Sequence, residues 1–370
     1  MAMKDERAHL QLFDLIARDW ILASPATGVT FNADGSSVAF ACADGAIYLA
    51  STADNESSNT RIRRAVDTAR VTIAPRSKSH APLKAADFTD GRSSDVVAHG
   101  ARNFAFAKAN GRINTLTPGG IAVHLPAKAA GAITAVAMTS DGATLAYACG
   151  DRVVLTASDA DQKHGLTAPA EITDVAFSPD DKTLAVAHAG GVTLWNVADV
   201  DAAAQTIPLA GSQGAVVWRA DGAWLTVCLD TDGFCAINIA RQETHFHGNF
   251  PSSVRSVAFG GPTNSVVAAG AFRVVAWGLD DQRDIVSGKA GLVLINAVAT
   301  CPTRNLVAVG YANGLISLAE IGRPSEILLR EDTSAGITAM AWSTDGRFLA
   351  VAGAEGSAAL VDFPDSMFKS

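Results

Sequence analysis

Aromatic residues are scarce in this 370-residue chain, at 6%, and charged residues reach only 18%. Cysteine is sparse too. The five (Cys42, Cys149, Cys228, Cys235, Cys301) are odd in number and lack CxxC spacing, which excludes a disulfide framework or cysteine-rich zinc module and fits a reduced, cytoplasmic compartment. No apolar run approaches the roughly 18 residues of a membrane helix, so no membrane partner is expected. The longest candidate, 265–279, contains Arg273 and alternates like strands. The N-terminus has Lys4, Asp5, Glu6 and Arg7, but Asp14, Arg18 and Asp19 break up any apolar stretch, so no secretory signal is expected. Basic excess is missing as well. Acidic residues number 37 against 29 Lys and Arg, a net charge of −8, and nucleic-acid binding normally needs a basic footprint. GxSxG, HExxH, GxGxxG and P-loop patterns are absent. Asp159-x-Asp161 begins like a calcium loop, yet its sixth position is His164 and its twelfth Ala170. No catalysis, metal or cofactor is expected.

What the chain does have is 48% hydrophobic residues, 32 glycines and an internal repeat. The segment from Ile172 reads ITDVAFSPDDKTLAVAHAGGVTLWN, and Ile133–Thr156 and Ile337–Asp362 restate it as ITAVAMTSDGATLAYACGDRVVLT and ITAMAWSTDGRFLAVAGAEGSAALVD. Further copies begin near 29, 215, 254 and 295, and a degenerate one, SSDVVAHGARNFAFAKANGRINTL, near 93. Adjacent starts are 39 to 43 residues apart except for a first gap of 64. Each unit holds three short Val/Ile/Leu/Ala runs separated by Asp-Gly or Asn-Gly, the pattern of strands joined by tight turns. The residues before the next unit can hold a fourth strand, as in Gly120–Leu125 or Gln242–His247. No long segment has helical periodicity.

These units resemble WD repeats over about residues 20–362: the match lies in the V-x-x-x-A-F-S-P-D-G-x-x-L-A opening, the turn, and the V-x-L-W-N ending at Trp195-Asn196. Only Trp277-Gly278 otherwise approaches the Trp-Asp ending, and the usual Gly-His ahead of the first strand is missing. The family's buried His–Ser/Thr–Asp–Trp network is therefore not expected to be complete in any blade. The resemblance implies an all-β fold, a single β-propeller of four-stranded antiparallel blades. Eight blades are favoured, and seven with an irregular insert is the alternative. Only nine residues follow the last third strand, Ser357–Val361, so an N-terminal strand, Asp19–Ser24, is expected to close the ring. Residues 1–18 are then a lead-in, 19–362 the propeller and 363–370 a tail. The Ala-rich, Lys-poor composition suggests a bacterial source.

The resemblance also implies a protein-interaction scaffold or accessory subunit of a larger complex. The family commonly binds partners on the face carrying the turn between second and third strands and the link between blades. Here those positions are Asp44, Asn110, Asp151, Glu171, Asp230, Asp232, Phe272, Arg273, Tyr311 and Glu355. Acids dominate, which favours a protein partner with a basic surface. Residues 51–92 hold eight basic and five acidic residues, a local charge of +3 against −11 elsewhere. They supply the outer strand of the first blade, assigned to 69–74, and an insert that reads either as a solvated loop or as a docking loop through Arg61, Arg63, Arg64, Arg76 and Lys78. Cys42, Cys149 and Cys228 share one repeat position, more readily a tight buried site than a thiol ring. Cys228 and Cys235 flank one turn as candidate cross-strand neighbours. His245 and His247 share a strand face without companion ligands, and His188 reads as a turn-flanking residue. The rival reading is a small-molecule-binding or enzymatic propeller using the central channel. Against it, the innermost strands (Val175, Val257, Val298, Met340) look apolar.

Overall fold

The hairpin joining the first two strands of a unit is built from a hydroxyl and a carboxylate two residues apart. Thr139 Oγ1 donates to Asp141 (2.6 Å) and accepts the Thr144 N–H (2.9 Å). Ser178 treats Asp180 and Thr183 in the same way (2.7 and 2.9 Å), and Ser343 does so with Asp345 and Phe348 (2.6 and 2.9 Å). The residue after the carboxylate must be left-handed, which glycine does without steric cost; Gly142 and Gly346 sit at φ 72 and 69. Asp181 replaces the glycine in one unit, takes φ 60, and reaches the Ser140 N–H of the preceding unit (3.1 Å).

In the computed structural model, which describes residues 10–64, 71–77, 80–85, 95–157, 163–211, 213–230, 233–281, 283–289 and 291–368, the repeats form eight four-stranded antiparallel sheets. The protein is an eight-bladed β-propeller. Blade 1 holds Ala26–Phe31, Ser37–Cys42, Ile47–Ser51 and Leu83–Lys84; blade 2 opens at Val97 and blades 3 to 7 at Ala135, Ile172, Gln213, Val257 and Ile295. Blade 8 combines Ile337–Trp342, Phe348–Gly353 and Ser357–Asp362 with the N-terminal strand Ala17–Ile21, paired from Ala17 opposite Val361 to Ile21 opposite Ser357. An N-terminal strand therefore closes the ring, two residues ahead of the expected segment.

Second strands are buried on both faces. In blade 1, Val38, Phe40 and Cys42 pack on Ala350, Ala352 and Leu360 of blade 8, while Ala39 and Ala41 pack on Phe104 and Phe106 of blade 2. Small Ala and Val side chains let neighbouring sheets approach, and burial of this kind contributes about 25 cal/mol per Å2.

Several local expectations are corrected. The outer strand of blade 1 is Leu83–Lys84, opposite Leu49 and Tyr48; Val71–Ile73, within the assigned 69–74, pairs instead with Ile62–Arg64 in a separate hairpin. That short run finds a local partner, and Arg61 at one end of the hairpin donates to the Ala74 carbonyl at the other. Cys228 and Cys235 are not cross-strand neighbours. Their partners are Phe234 and Val227, and strand alternation sends the thiols to opposite faces of blade 5. His188 ends the strand Thr183–His188 and flanks the turn to Gly191 as expected, but it is buried: its Nε2 meets Thr193 Oγ1 at 2.9 Å, and that hydroxyl meets Thr206 Oγ1 at 3.0 Å. His247 stacks on Phe234 (ring centroids 4.7 Å) beside Trp277, and among the described residues no cluster suited to a metal ion occurs. No described helix is long and apolar enough to cross a membrane.

Candidate functional site: the turn face and the channel

The turn face is organised by one recurring backbone bond. In blades 1, 4, 7 and 8 the N–H just after the second strand donates to a carbonyl ahead of the first strand of its own blade: Ala43 to Pro25, Ala189 to Glu171, Ala312 to Leu294 and Ala354 to Gly336 (2.8–3.1 Å). Blade-to-blade links add to it. The amide of Ile172 donates to Gly150 (2.8 Å) and that of Ala168 to Asp151 (2.8 Å), which brings Asp151 and Glu171 to the seam of blades 3 and 4.

On this platform Asp151, Glu171, Asp230 and Glu355 are exposed, and among the described residues their carboxylates make no hydrogen bond or ion pair. Asp44 and Asn110 are exposed but spend an oxygen on their own turns, accepting from Ala46 (3.0 Å) and Arg112 (3.1 Å). Phe272 is exposed, whereas Arg273 donates to the Gly288 carbonyl (3.0 Å). Tyr311 is buried; its hydroxyl donates to Glu326 (3.4 Å), and burial pushes its pKa up. Asp232 lies outside the described residues. Glu355 holds a left-handed backbone, φ 60, a conformation costing a non-glycine residue on the order of 1 kcal/mol. Arg112 and Arg152 are exposed at the same face, Arg152 beside Asp151 on blade 3, so the acid excess is partly offset there.

The opposite face differs. Several of its carboxylates are matched: Asp34 with Arg102 (3.2 Å), Asp181 with Ser140, and Asp221 and Asp280 with the buried guanidinium of Arg219 (2.8 and 2.7 Å), while Asp199 and Asp201 are exposed.

The basic insert turns inward. Arg76 pairs with Asp54 (2.6 Å), which Arg18 of the closing strand approaches at 3.8 Å, all three side chains being buried. Burial lowers the Arg18 pKa, an effect that Asp54 partly offsets. Arg61 is buried and donates to the carbonyls of Glu56 (2.8 Å) and Ala74 (2.6 Å). The Ser58 N–H donates to Asp362 (2.7 Å), and Trp20 Nε1 to the His80 carbonyl (2.8 Å). Arg61 and Arg76 thus fasten the insert over the seam where the ring closes. Arg63 is exposed, the Arg64 backbone pairs with Val71, and Lys78 lies outside the described residues.

The channel is more polar than the sequence suggested. In blades 1, 4, 5, 7 and 8 the first strand shifts register after its opening residue. Such a bulge sets two residues against one. In blade 4, Thr173 and Asp174 line the channel together with Val175, which is itself largely covered. Val257 and Val298 are buried likewise. One chamber of about 520 Å3 carries Asp95, Thr134, Thr173 and Asp174. Asp174 accepts the Val175 and Val216 N–H groups (2.9 and 2.8 Å), tying blade 4 to blade 5. Its pKa is pushed up to about 6, chiefly by burial against the pull of those two bonds, with Asp95 adding to the rise. A threonine at the second position of four units (Thr27, Thr134, Thr173, Thr338) was the available signal for this polar ring.

No curated protein sequence matches the chain. Two family profiles do in part: "WD domain, G-beta repeat" over residues 161–196 and "Anaphase-promoting complex subunit 4 WD40 domain" over 298–367. Among solved structures, the C-terminal WD40 domain of Sif2 is similar at 14% identity and TM-score 0.65, covering 95% of this chain and 99% of that one. The Dos1 propeller is similar at 13% identity and TM-score 0.68, covering 93% and 94%. A chain of the mitotic checkpoint complex matches at 14% and 0.57, covering 76% and 94%. The chain is thus an eight-bladed propeller like those of WD40 proteins, with WD-repeat sequence recognisable in blades 4, 7 and 8.

Proposed function

We propose that this protein is a non-catalytic docking subunit that presents its turn face to a protein partner with a basic contact surface. The observation that carries the reading is the asymmetry of the two faces. On the opposite face Asp34, Asp221 and Asp280 are ion-paired within the molecule, whereas Asp151, Glu171, Asp230 and Glu355 stand exposed and unmatched. Unpaired charge on a rigid surface steers a complementary partner and sets register. WD40 propellers generally act as interaction scaffolds, and the matched profile and one of the similar structures carry the names of multi-protein complexes. The reading extends to a role as an assembly or accessory subunit in the cytoplasm of a bacterial cell. There, thiols that burial holds at about 12 (Cys228) and about 11 (Cys235) stay protonated.

The test is affinity purification from the native host at low salt, with mass spectrometry of co-purifying proteins. A stoichiometric partner is expected, released by raised salt and lost from the variant carrying Asp151→Lys, Glu171→Lys and Asp230→Lys. A folded variant that retains the partner, or a wild-type protein that purifies alone, overturns the reading.

A further inference from the structure

A second chamber of the channel offers hydrogen-bond donors and no carboxylate. It measures about 500 Å3, within the usual range of small-ligand pockets, and is lined by Thr27, Ser252, Ser253, Arg255, Asn296 and Thr338 among others. Arg255 is exposed to this space, and among the described residues its guanidinium makes no hydrogen bond or ion pair. The same holds for the side chains of Ser252, Ser253 and Asn296. Gly336 leaves room beside Asn296: a Cβ there would stand 3.4 Å from Nδ2.

The other hydroxyls of the chamber have structural duties. Ser256 Oγ accepts the Val298 N–H (3.1 Å) and lies 3.2 Å from the Val298 carbonyl; Thr338 donates to the Ala26 carbonyl (2.5 Å) and Thr27 to that of Ala41 (3.2 Å). They stitch blades together or hold hairpins. The spare donors are therefore a distinct set, contributed by the loop entering blade 6 and the first strand of blade 7. Arg255 also differs from the buried arginines of this chain, which are matched: Arg18 and Arg76 with Asp54, Arg219 with Asp221 and Asp280. The channel's acids, Asp95 and Asp174, lie together in the chamber toward blades 2 to 4. Asp95 also borders the narrower space into which Arg255 extends, so a negatively charged ligand is confined to the wall formed by blades 6 to 8.

A planar guanidinium offers two parallel N–H bonds to a carboxylate or phosphate, and such bonds are the stronger kind. Hydroxyl and amide donors on the same wall complete an acceptor-only ligand. We propose that this chamber binds a small oxyanion, a free carboxylate or phosphate compound, with Arg255 as its principal ligand and Ser252, Ser253 and Asn296 as supporting donors. The site is independent of the turn-face carboxylates.

The experiment is isothermal titration of the full chain with inorganic phosphate and, separately, succinate, with sodium chloride added to hold ionic strength constant. Saturable binding of at least one probe is expected. Arg255→Met should weaken it by about ten- to a hundredfold, the loss of a charge-assisted bond, and Ser253→Ala with Asn296→Ala by less. Because Arg255 is exposed, these variants should keep the wild-type melting temperature without ligand, which identifies any that misfold. The triple turn-face variant should bind the anion as wild type does, separating this proposal from the docking reading. Absence of saturable heat with both probes, or unchanged affinity in both folded channel variants, overturns it.

Discussion

Asp174 shows how one side chain serves two blades at a cost set by pH. Its carboxylate caps the Val175 and Val216 N–H groups at a bulge, so removing it leaves a buried donor unmatched, a loss of about 1–3 kcal/mol. Its folded pKa of about 6 lies above the ordinary aspartate value of 3.8, which means the native state holds a proton that the unfolded chain has released. Stability tied to this group is fully present below about pH 4 and is lost as pH rises toward about 6. Urea denaturation of wild type and Asp174→Asn between pH 4 and 7.5 checks the sign. The stability of wild type relative to that variant should fall by roughly 1–3 kcal/mol across that window, and a flat difference would refute the assignment. Cys228 and Cys235 teach a related lesson. Their pKa values rise through burial, and at the position shared by Cys42, Cys149 and Cys228, the end of second strands, two of the three cysteines are buried and Cys149 is half-buried, which fits a packing site.

At the scale of elements, the insert behaves as a strap across the closing seam. Asp362, at the end of the last strand of blade 8, accepts the Ser58 N–H (2.7 Å) and Arg347 Nε (3.0 Å) while itself buried; Asn59 takes the Asp365 N–H (3.0 Å). Asp362→Ala should cost about 2–4 kcal/mol, since it strands a buried donor and half of an ion pair. Hydrogen exchange should speed up selectively in residues 56–64, and uniform exchange across all blades would contradict a local strap. The same elements mark what the sequence could and could not disclose. Three strands in each of eight units were legible because their turns are local chemistry, such as Ser343 with Asp345 and Gly346. The closing strand was legible because blade 8 ran out of chain. Pairing of Arg76 with Asp54 folds the insert on itself, and that of Ser58 with Asp362 reaches from the insert to blade 8; no local pattern encodes either contact. The polar members of the channel lining are not legible, because strict alternation places Val175 inward alone, whereas a bulge in the first strand of five blades adds residues such as Thr173 and Asp174 to the lining. Tyr311 was taken as a surface residue from its repeat position, whereas its ring is covered and its hydroxyl committed to Glu326.

The whole ring depends on a junction between its two ends. Closure removes sheet edges that would otherwise be free to pair with other chains, and here Ala17–Ile21 covers Ser357–Val361. The preceding short helix, Leu12–Ile16, inserts Phe13 and Ile16 among Leu329, Trp342, Val361 and Phe363, and the Arg330 guanidinium lies 5.1 Å from the Phe13 ring centroid. Burying these two side chains contributes roughly 3–6 kcal/mol, a large share of the roughly 5–15 kcal/mol that stabilises a folded domain. Deleting residues 1–21 should therefore do more than trim a terminus. Blade 8 would keep three strands with Ser357–Asp362 as a bare edge, and Arg18 would no longer approach Asp54 beneath the insert. The truncated chain is expected to melt lower and less cooperatively than the intact protein, and to associate in sedimentation as concentration rises. A synthetic peptide spanning residues 10–24 should restore both properties, because it supplies the missing strand and the helix that anchors it. A truncated protein that stays monomeric and melts like the intact one would show that the contacts between blades, those of blade 8 with blade 1 included, hold the ring, and that the N-terminal strand only decorates it.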